Sequence, residues 1–157
     1  MGIKFIRIDD RLIHGQVVTA WIKQYQARRV LIVDDGVAKD DFLIGVLQMV
    51  APSGIELVIA ANDGIGEKLK AYEADEKNTL ILVKTPETAR TLFDEGLDLK
   101  ELNVGGMGAN QYRKALYKNI SASDEEVAIL KELEGRGINV YFQATPTDKR
   151  VKLSALR

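Results

Sequence analysis

Cysteine is absent from all 157 residues. That excludes disulfides, thiolate metal ligands and a cysteine nucleophile, and it fits a reducing compartment. Histidine occurs once, too few for a zinc site of the usual kind, so no metal is expected. A surplus of either charge is also missing. With 22 Lys and Arg against 23 Asp and Glu, the formal net charge is -1, which lacks the cationic excess of a general nucleic-acid binder. No apolar run approaches the ~18 residues of a membrane span. The opening MGIKFIRIDDR has neither a long apolar core nor a small-residue cleavage site, so a cytoplasmic protein is expected. No Pro-, Gly- or Ser-rich linker and no internal repeat divides the chain, and one domain over residues 1–157 is expected.

What is present is a rhythm. IKFIRI (3–8), RVLIVDD (29–35), IELVIA (55–60), TLILVK (79–84), ELNVGG (101–106), LYKNIS (116–121) and INVYFQA (138–144) read as strands. Between them lie helical stripes. Val17, Val18, Trp21, Ile22 and Tyr25 share one face, as do Phe42, Leu43, Val46, Leu47 and Val50, and a weaker stripe runs through Ile65, Leu69 and Tyr72. Thr85 and Pro86 open a further helix, and Ser123 with Glu126 forms a capping box for the last. The alternation predicts an α/β fold: an open, mostly parallel sheet of about seven strands with helices on both faces. In such sheets ligands bind beyond the carboxyl ends of the strands. That draws attention to the turns at Asp9–Gly15, Asp34–Gly36, Asn62–Gly66, Lys84–Pro86 and Gly105–Asn110.

The single histidine, His14, stands in the first of these turns, within RIDDRLIHGQV. Neutral imidazole is nucleophilic at physiological pH. A histidine at a helix N-terminus either caps and packs, or takes an anion where free amides already point. Arg11 could add charge-assisted hydrogen bonds. Asp9 and Asp10 either cap the helix or hold the second ring nitrogen. Gly15 and Gln16 offer first-turn amides, and the Gly105–Gly106 turn could cradle phosphate. Neither GGMG nor DGIGEK completes a dinucleotide fingerprint, and no Walker A pattern occurs. Lys84 and Arg113 are cationic candidates near the same edge, although most such residues are simply solvated.

RIDDRLIHGQV closely resembles the phosphorylation-site motif of the enzyme IIB components of mannose/fructose/sorbose-family sugar phosphotransferase systems. The resemblance continues through LNVGGM (102–107), KNIS (118–121) and ATPTD (144–148), and so covers essentially the whole chain. It implies a protein-Nπ-phosphohistidine–sugar phosphotransferase. Such a protein accepts a phosphoryl group from phosphohistidine on enzyme IIA and passes it to a sugar carried by the membrane components IIC and IID. His14 matches the phosphorylated residue, through Nδ1. Arg11, Gly15 and Gln16 are expected to neutralise phosphoryl oxygens, Asp9 to position the loop or the imidazole, and Gly105–Gly106 to border the site. Arg7, Arg11, Lys84 and Arg113 are expected to form a basic rim for the negative partner. The relay needs no cofactor. The expected partners are phosphorylated IIA, the IIC/IID permease and its sugar, with no nucleic acid; the oligomeric state has no legible signature. A rival reading is a receiver-like regulator phosphorylated on aspartate, with Asp63 or the Asp9–Asp10 pair as acceptor and Lys84 at a strand end.

Overall fold

The computed structural model describes residues 2–156. Along it run β1 (Ile3–Asp9), α1 (Gly15–Tyr25), β2 (Arg29–Val33), α2 (Asp35–Ala38), α3 (Asp41–Val50), β3 (Glu56–Ala60), α4 (Ile65–Ala74) and β4 (Thr79–Val83). There follow α5 (Pro86–Asp94), β5 (Glu101–Gly106), β6 (Lys114–Tyr117), β7 (Ile120–Ala122), α6 (Asp124–Gly135), β8 (Asn139–Phe142) and β9 (Val151–Lys152). The main sheet has seven strands in the order β3-β2-β4-β1-β5-β8-β9. Every pairing is parallel except β8 with β9. The expected fold class is therefore the observed one.

Local signals act where the sequence places them. Thr85 Oγ1 accepts from the Thr88 amide, with Pro86 at the first helical position, and Ser123 and Glu126 form a reciprocal capping box. Period-2 alternation along β1 sends Ile6 and Ile8 to one face of the sheet and Phe5 to the other. The first face packs under α4, α5 and α6 through Leu69, Leu92, Leu130 and Leu133. The second packs under α1, α2 and α3 through Val18, Trp21, Val37 and Leu47. Among the described residues no helix is long and apolar enough to cross a membrane.

Three details differ from expectation. Residues 116–121 are not one strand of the sheet but part of the separate antiparallel hairpin β6–β7, because the polar Lys118–Asn119 pair turns the chain. The seventh strand of the sheet is instead β9, whose two residues are too few to show an alternation. Finally, β2 stops at Val33 because Asp34 becomes an N-cap, its carboxylate accepting from the Val37 amide at 2.9 Å.

Candidate functional site

α1 runs antiparallel over β1, and the two zip together step by step. Phe5 stacks on Trp21 and Tyr25, with ring centroids 4.5 and 4.7 Å apart. Two residues on, the Arg7 guanidinium lies 5.5 Å from the Trp21 ring. Two further on, Asp9 meets His14, the N-cap of α1, where Asp9 Oδ2 and His14 Nε2 are 3.2 Å apart. Phe5, Arg7 and Asp9 thus occupy one strand face, and the last of them reaches the carboxyl edge of the sheet.

Asp9 is almost completely buried, at 1% exposure, yet it is surrounded by donors. Its Oδ1 accepts from the Arg11 amide and Nε, both at 3.0 Å. Its Oδ2 accepts from Arg11 Nη2 at 3.1 Å and Arg7 Nη2 at 3.2 Å. Burial works against the charge. The hydrogen bonds from Arg11 and the positive charges of Arg7 and Arg11 outweigh it and hold the carboxyl below the usual carboxylate range. The anion is therefore permanent at neutral pH.

Arg7 corrects one expectation. It is 2% exposed and cannot belong to a docking rim, because the pleat that buries Phe5 also buries Arg7. Its Nη1 donates to Asn103 Oδ1 at 2.6 Å and to the Gln143 carbonyl at 3.0 Å. Burial pulls its pKa down against the opposing pull of Asp9. Arg113 is likewise occupied. It grips Glu126 with two bonds of 2.9 Å and reaches Asp10 at 3.3 Å, so its charge is already neutralised. Arg11 is different: its side chain is 53% exposed, and only its inner edge faces Asp9. Lys84 directly follows β4, the neighbour of β1, and is half-buried, without an ion pair among the described residues.

The turn that presents His14 is held rigidly. The Asp10 amide donates to the Gly106 carbonyl, and the Leu12 amide to the Asp9 carbonyl. Leu12 takes a left-handed conformation (φ 58°), and Leu12 and Ile13 bury their side chains in the α1-side core to anchor it. Asp10 Oδ2 accepts from the Gly108 amide at 2.7 Å, tying the glycine turn to the histidine loop. Gly105 and Gly106 are required for space. A Cβ at Gly105 would fall inside the Arg7 guanidinium, and one at Gly106 would lie 2.6 Å from Asp9 Oδ1. His14 itself keeps 27% of its side chain exposed, and it makes no capping bond to the α1 amides. Gly15 and Gln16 are exposed at that helix end.

Asp63 is not brought to this site. It follows β3, the outermost strand, which is separated from β1 by β2 and β4, a span of roughly 14 Å at the usual strand spacing. The acid cluster of a receiver-like regulator is therefore not assembled. Conversely, the sequence reading overlooked Asn103 and Gln143, which hold Arg7. The available signal was pairing: Asn103, a polar residue in an apolar strand, lies opposite Arg7 across the β1–β5 ladder.

Residues 3–156 match the family model described as "PTS system sorbose subfamily IIB component". The chain is 32% identical to the N-acetylgalactosamine-specific phosphotransferase enzyme IIB component 1 of Escherichia coli K12, over 97% of this chain and 96% of that protein. It is 30% identical to the mannose-specific EIIAB component of the same organism, over 99% of this chain but only 48% of that longer protein. The solved IIBSor domain of the sorbose permease from Klebsiella pneumoniae superposes with a TM-score of 0.92 at 29% identity, over 98% of this chain and 94% of that one. On these grounds the chain belongs to the sorbose subfamily of phosphotransferase-system IIB components, proteins of phosphotransfer in sugar uptake.

Proposed function

We propose that His14 carries the phosphoryl group on Nδ1, taking it from a phosphohistidine of enzyme IIA and delivering it to a sugar held by the membrane components IIC and IID. The supporting observation is the 3.2 Å contact of His14 Nε2 with Asp9 Oδ2. An ionised carboxylate only accepts, so the proton of the neutral ring sits on Nε2 and the lone pair on Nδ1. Asp9 thereby selects the nucleophilic nitrogen and steadies the positive ring that forms on phosphorylation.

In the first transfer the donor N–P bond breaks as the bond from His14 Nδ1 forms, and the Nε2 proton stays where it is. In the second a sugar hydroxyl oxygen attacks phosphorus. The N–P electron pair returns to Nδ1, and the hydroxyl proton passes to a base at the sugar site. Phosphoryl transfer asks the protein mainly for positioning and charge stabilisation. Here the outer edge of Arg11 and the uncapped amides of Gly15 and Gln16, at the positive end of α1, face the phosphoryl oxygens. Arg11 and Lys84 supply the cationic rim for IIA, and the protein works in the cytoplasm at the surface of its permease.

The test is to incubate the full chain with phosphoenolpyruvate, the general phosphotransfer proteins and a cognate IIA, and then to map the phosphate. The expected result is a single acid-labile phosphate on His14, absent from His14→Ala. An alkali-labile phosphate on aspartate, or full labelling of His14→Ala, would overturn the proposal.

A further inference from the structure

A polar cavity of about 220 Å³ opens at the carboxyl ends of β5 and β8. His14 does not line it. Gly105 and Gln143 do, and these same residues contact Arg7 from the other side. The cavity thus backs onto the ionic cluster of the histidine site without being part of it.

Its walls have a definite chemistry. Tyr117 forms one side, its ring packed against Phe142 with centroids 5.1 Å apart. Lys118 rises from the β6–β7 turn in a left-handed conformation (φ 48°), its Nζ 5.4 Å from the Tyr117 ring. Lys149 lines the cavity from the loop after β8. Both lysines are exposed, and neither has an ion-pair partner among the described residues. The lining's one carboxylate, Asp148, accepts from the Thr145 amide at 3.1 Å and keeps its charge, so two lysines stand against a single anion. The cavity is therefore locally cationic on a chain whose net charge is -1. At this volume it falls below the roughly 300–1,000 Å³ of sites for drug-sized ligands, which suits something near one monosaccharide.

We propose that this cavity binds a monophosphorylated sugar, with its phosphate between Lys118 and Lys149 and its ring against Tyr117. Two ammonium groups against one carboxylate leave the lining net positive, which favours a phosphate over a neutral ligand. An aromatic face with the Asn119 amide beside it suits the apolar face and hydroxyls of a pyranose or furanose. The preference for an anion stands on the cavity alone. The choice of a sugar as the bearer of the phosphate rests on the phosphotransfer reading above, since a sugar phosphate is the product of that relay.

The experiment is a titration of the full, unphosphorylated chain followed by amide NMR signals. Hexose 6-phosphate, the parent hexose and inorganic phosphate form its three arms. Hexose 6-phosphate is expected to move the signals of Tyr117, Asn119 and Lys149 saturably, and the parent hexose is not. Lys118→Gln with Lys149→Gln, both at exposed positions, is expected to weaken binding at least about tenfold with the melting temperature unchanged. The His14→Ala chain is expected to bind equally well, so a failure of the carrier assignment leaves this result readable. Shifts confined to Gly15–Val17, or undiminished in the double variant, overturn the proposal. Inorganic phosphate binding as tightly as hexose 6-phosphate overturns the sugar assignment.

Discussion

Arg7 and Arg29 stand at opposite ends of the same sheet, both nearly sealed from solvent, at 2% and 5% exposure. Arg29, the first residue of β2, sits over the Tyr72 ring at 3.8 Å. It donates to Thr79 at 3.2 Å and to Glu56 and Asp75 at 3.0 Å each. Its two carboxylates are 45% and 36% exposed, so that network runs out into water. Arg7 has one carboxylate, Asp9, which it shares with Arg11 and His14 and which water does not reach. The two pKa shifts go opposite ways. Burial opposes the charge of both, but at Arg29 the bonds to Asp75 and Glu56 win, whereas at Arg7 burial wins. A clamp that only joins strands has no need of a single shared anion. The Arg7 cluster ends on a partly exposed imidazole, which hydrogen-bonds the shared anion.

Replacing the shared anion is the strongest way to break this comparison. Asp9→Asn leaves Arg7 buried without a countercharge, a loss expected at about 3–5 kcal/mol, a large part of a stability of roughly 5–15 kcal/mol. It also frees the ring to place its proton on either nitrogen, so phosphorylation by IIA is expected to slow about 10²–10⁴-fold. Urea unfolding reads the first effect and the single-turnover rate the second. A variant with wild-type stability would show that Asp9 is not the compensating charge. Removing the cations gives the next contrast. Arg7→Met is expected to cost about 3 kcal/mol. Arg29→Met is expected to cost about 1 kcal/mol, because water can take over its exposed carboxylates. Equal losses in urea would erase the distinction between the two ends.

The pH dependence sharpens it further. With the Asp9 carboxyl held below its ordinary value, the unfolded chain binds more protons than the folded one at acid pH. The window lies between the folded value and the ordinary carboxyl pKa of about 3.9. Stability from this group is full above that window and is lost as pH falls through the folded value. Unfolding midpoints measured from pH 6 downward are therefore expected to fall less steeply in Asp9→Asn than in the wild type. Glu56→Gln is expected to change that slope less, since solvent screens its half-exposed carboxylate.

The legibility of this molecule follows from range. Strands, caps and the two helical faces rest on neighbours within a few residues, and the alternation from Ile3 to Phe142 exposes them. The histidine loop was legible for the same reason: Asp9, Arg11, His14 and Gly15 lie within seven consecutive residues. What escaped depends on register between distant strands. That Arg7 faces inward toward Asn103 follows from the β1–β5 pairing. That Arg113 is consumed by Glu126 follows from where the β6–β7 hairpin folds back onto α6. β9 was too short for any periodic signal.

The smallest expected effect concerns the cations that remain free at the carboxyl edge. With Arg7 buried and Arg113 neutralised, the proposed steering of a negatively charged IIA is left to Arg11 and Lys84. Arg11 is entangled with Asp9, so Lys84 is the cleaner probe: it directly follows the strand next to β1, and no carboxylate among the described residues claims it. Long-range steering acts on the association rate and fades with ionic strength, whereas chemistry at the imidazole does not. Lys84→Gln is therefore expected to slow association with phosphorylated IIA about two- to fivefold at low salt. The deficit should vanish once the Debye length shrinks to a few ångströms near 1 M salt, with the transfer rate inside the complex unchanged. Arg29→Gln, at the far edge of the sheet, should leave the association rate at its wild-type value at every salt concentration. If the two variants behave alike, the rim does not lie at the histidine end, and the asymmetry between the two edges is one of packing alone.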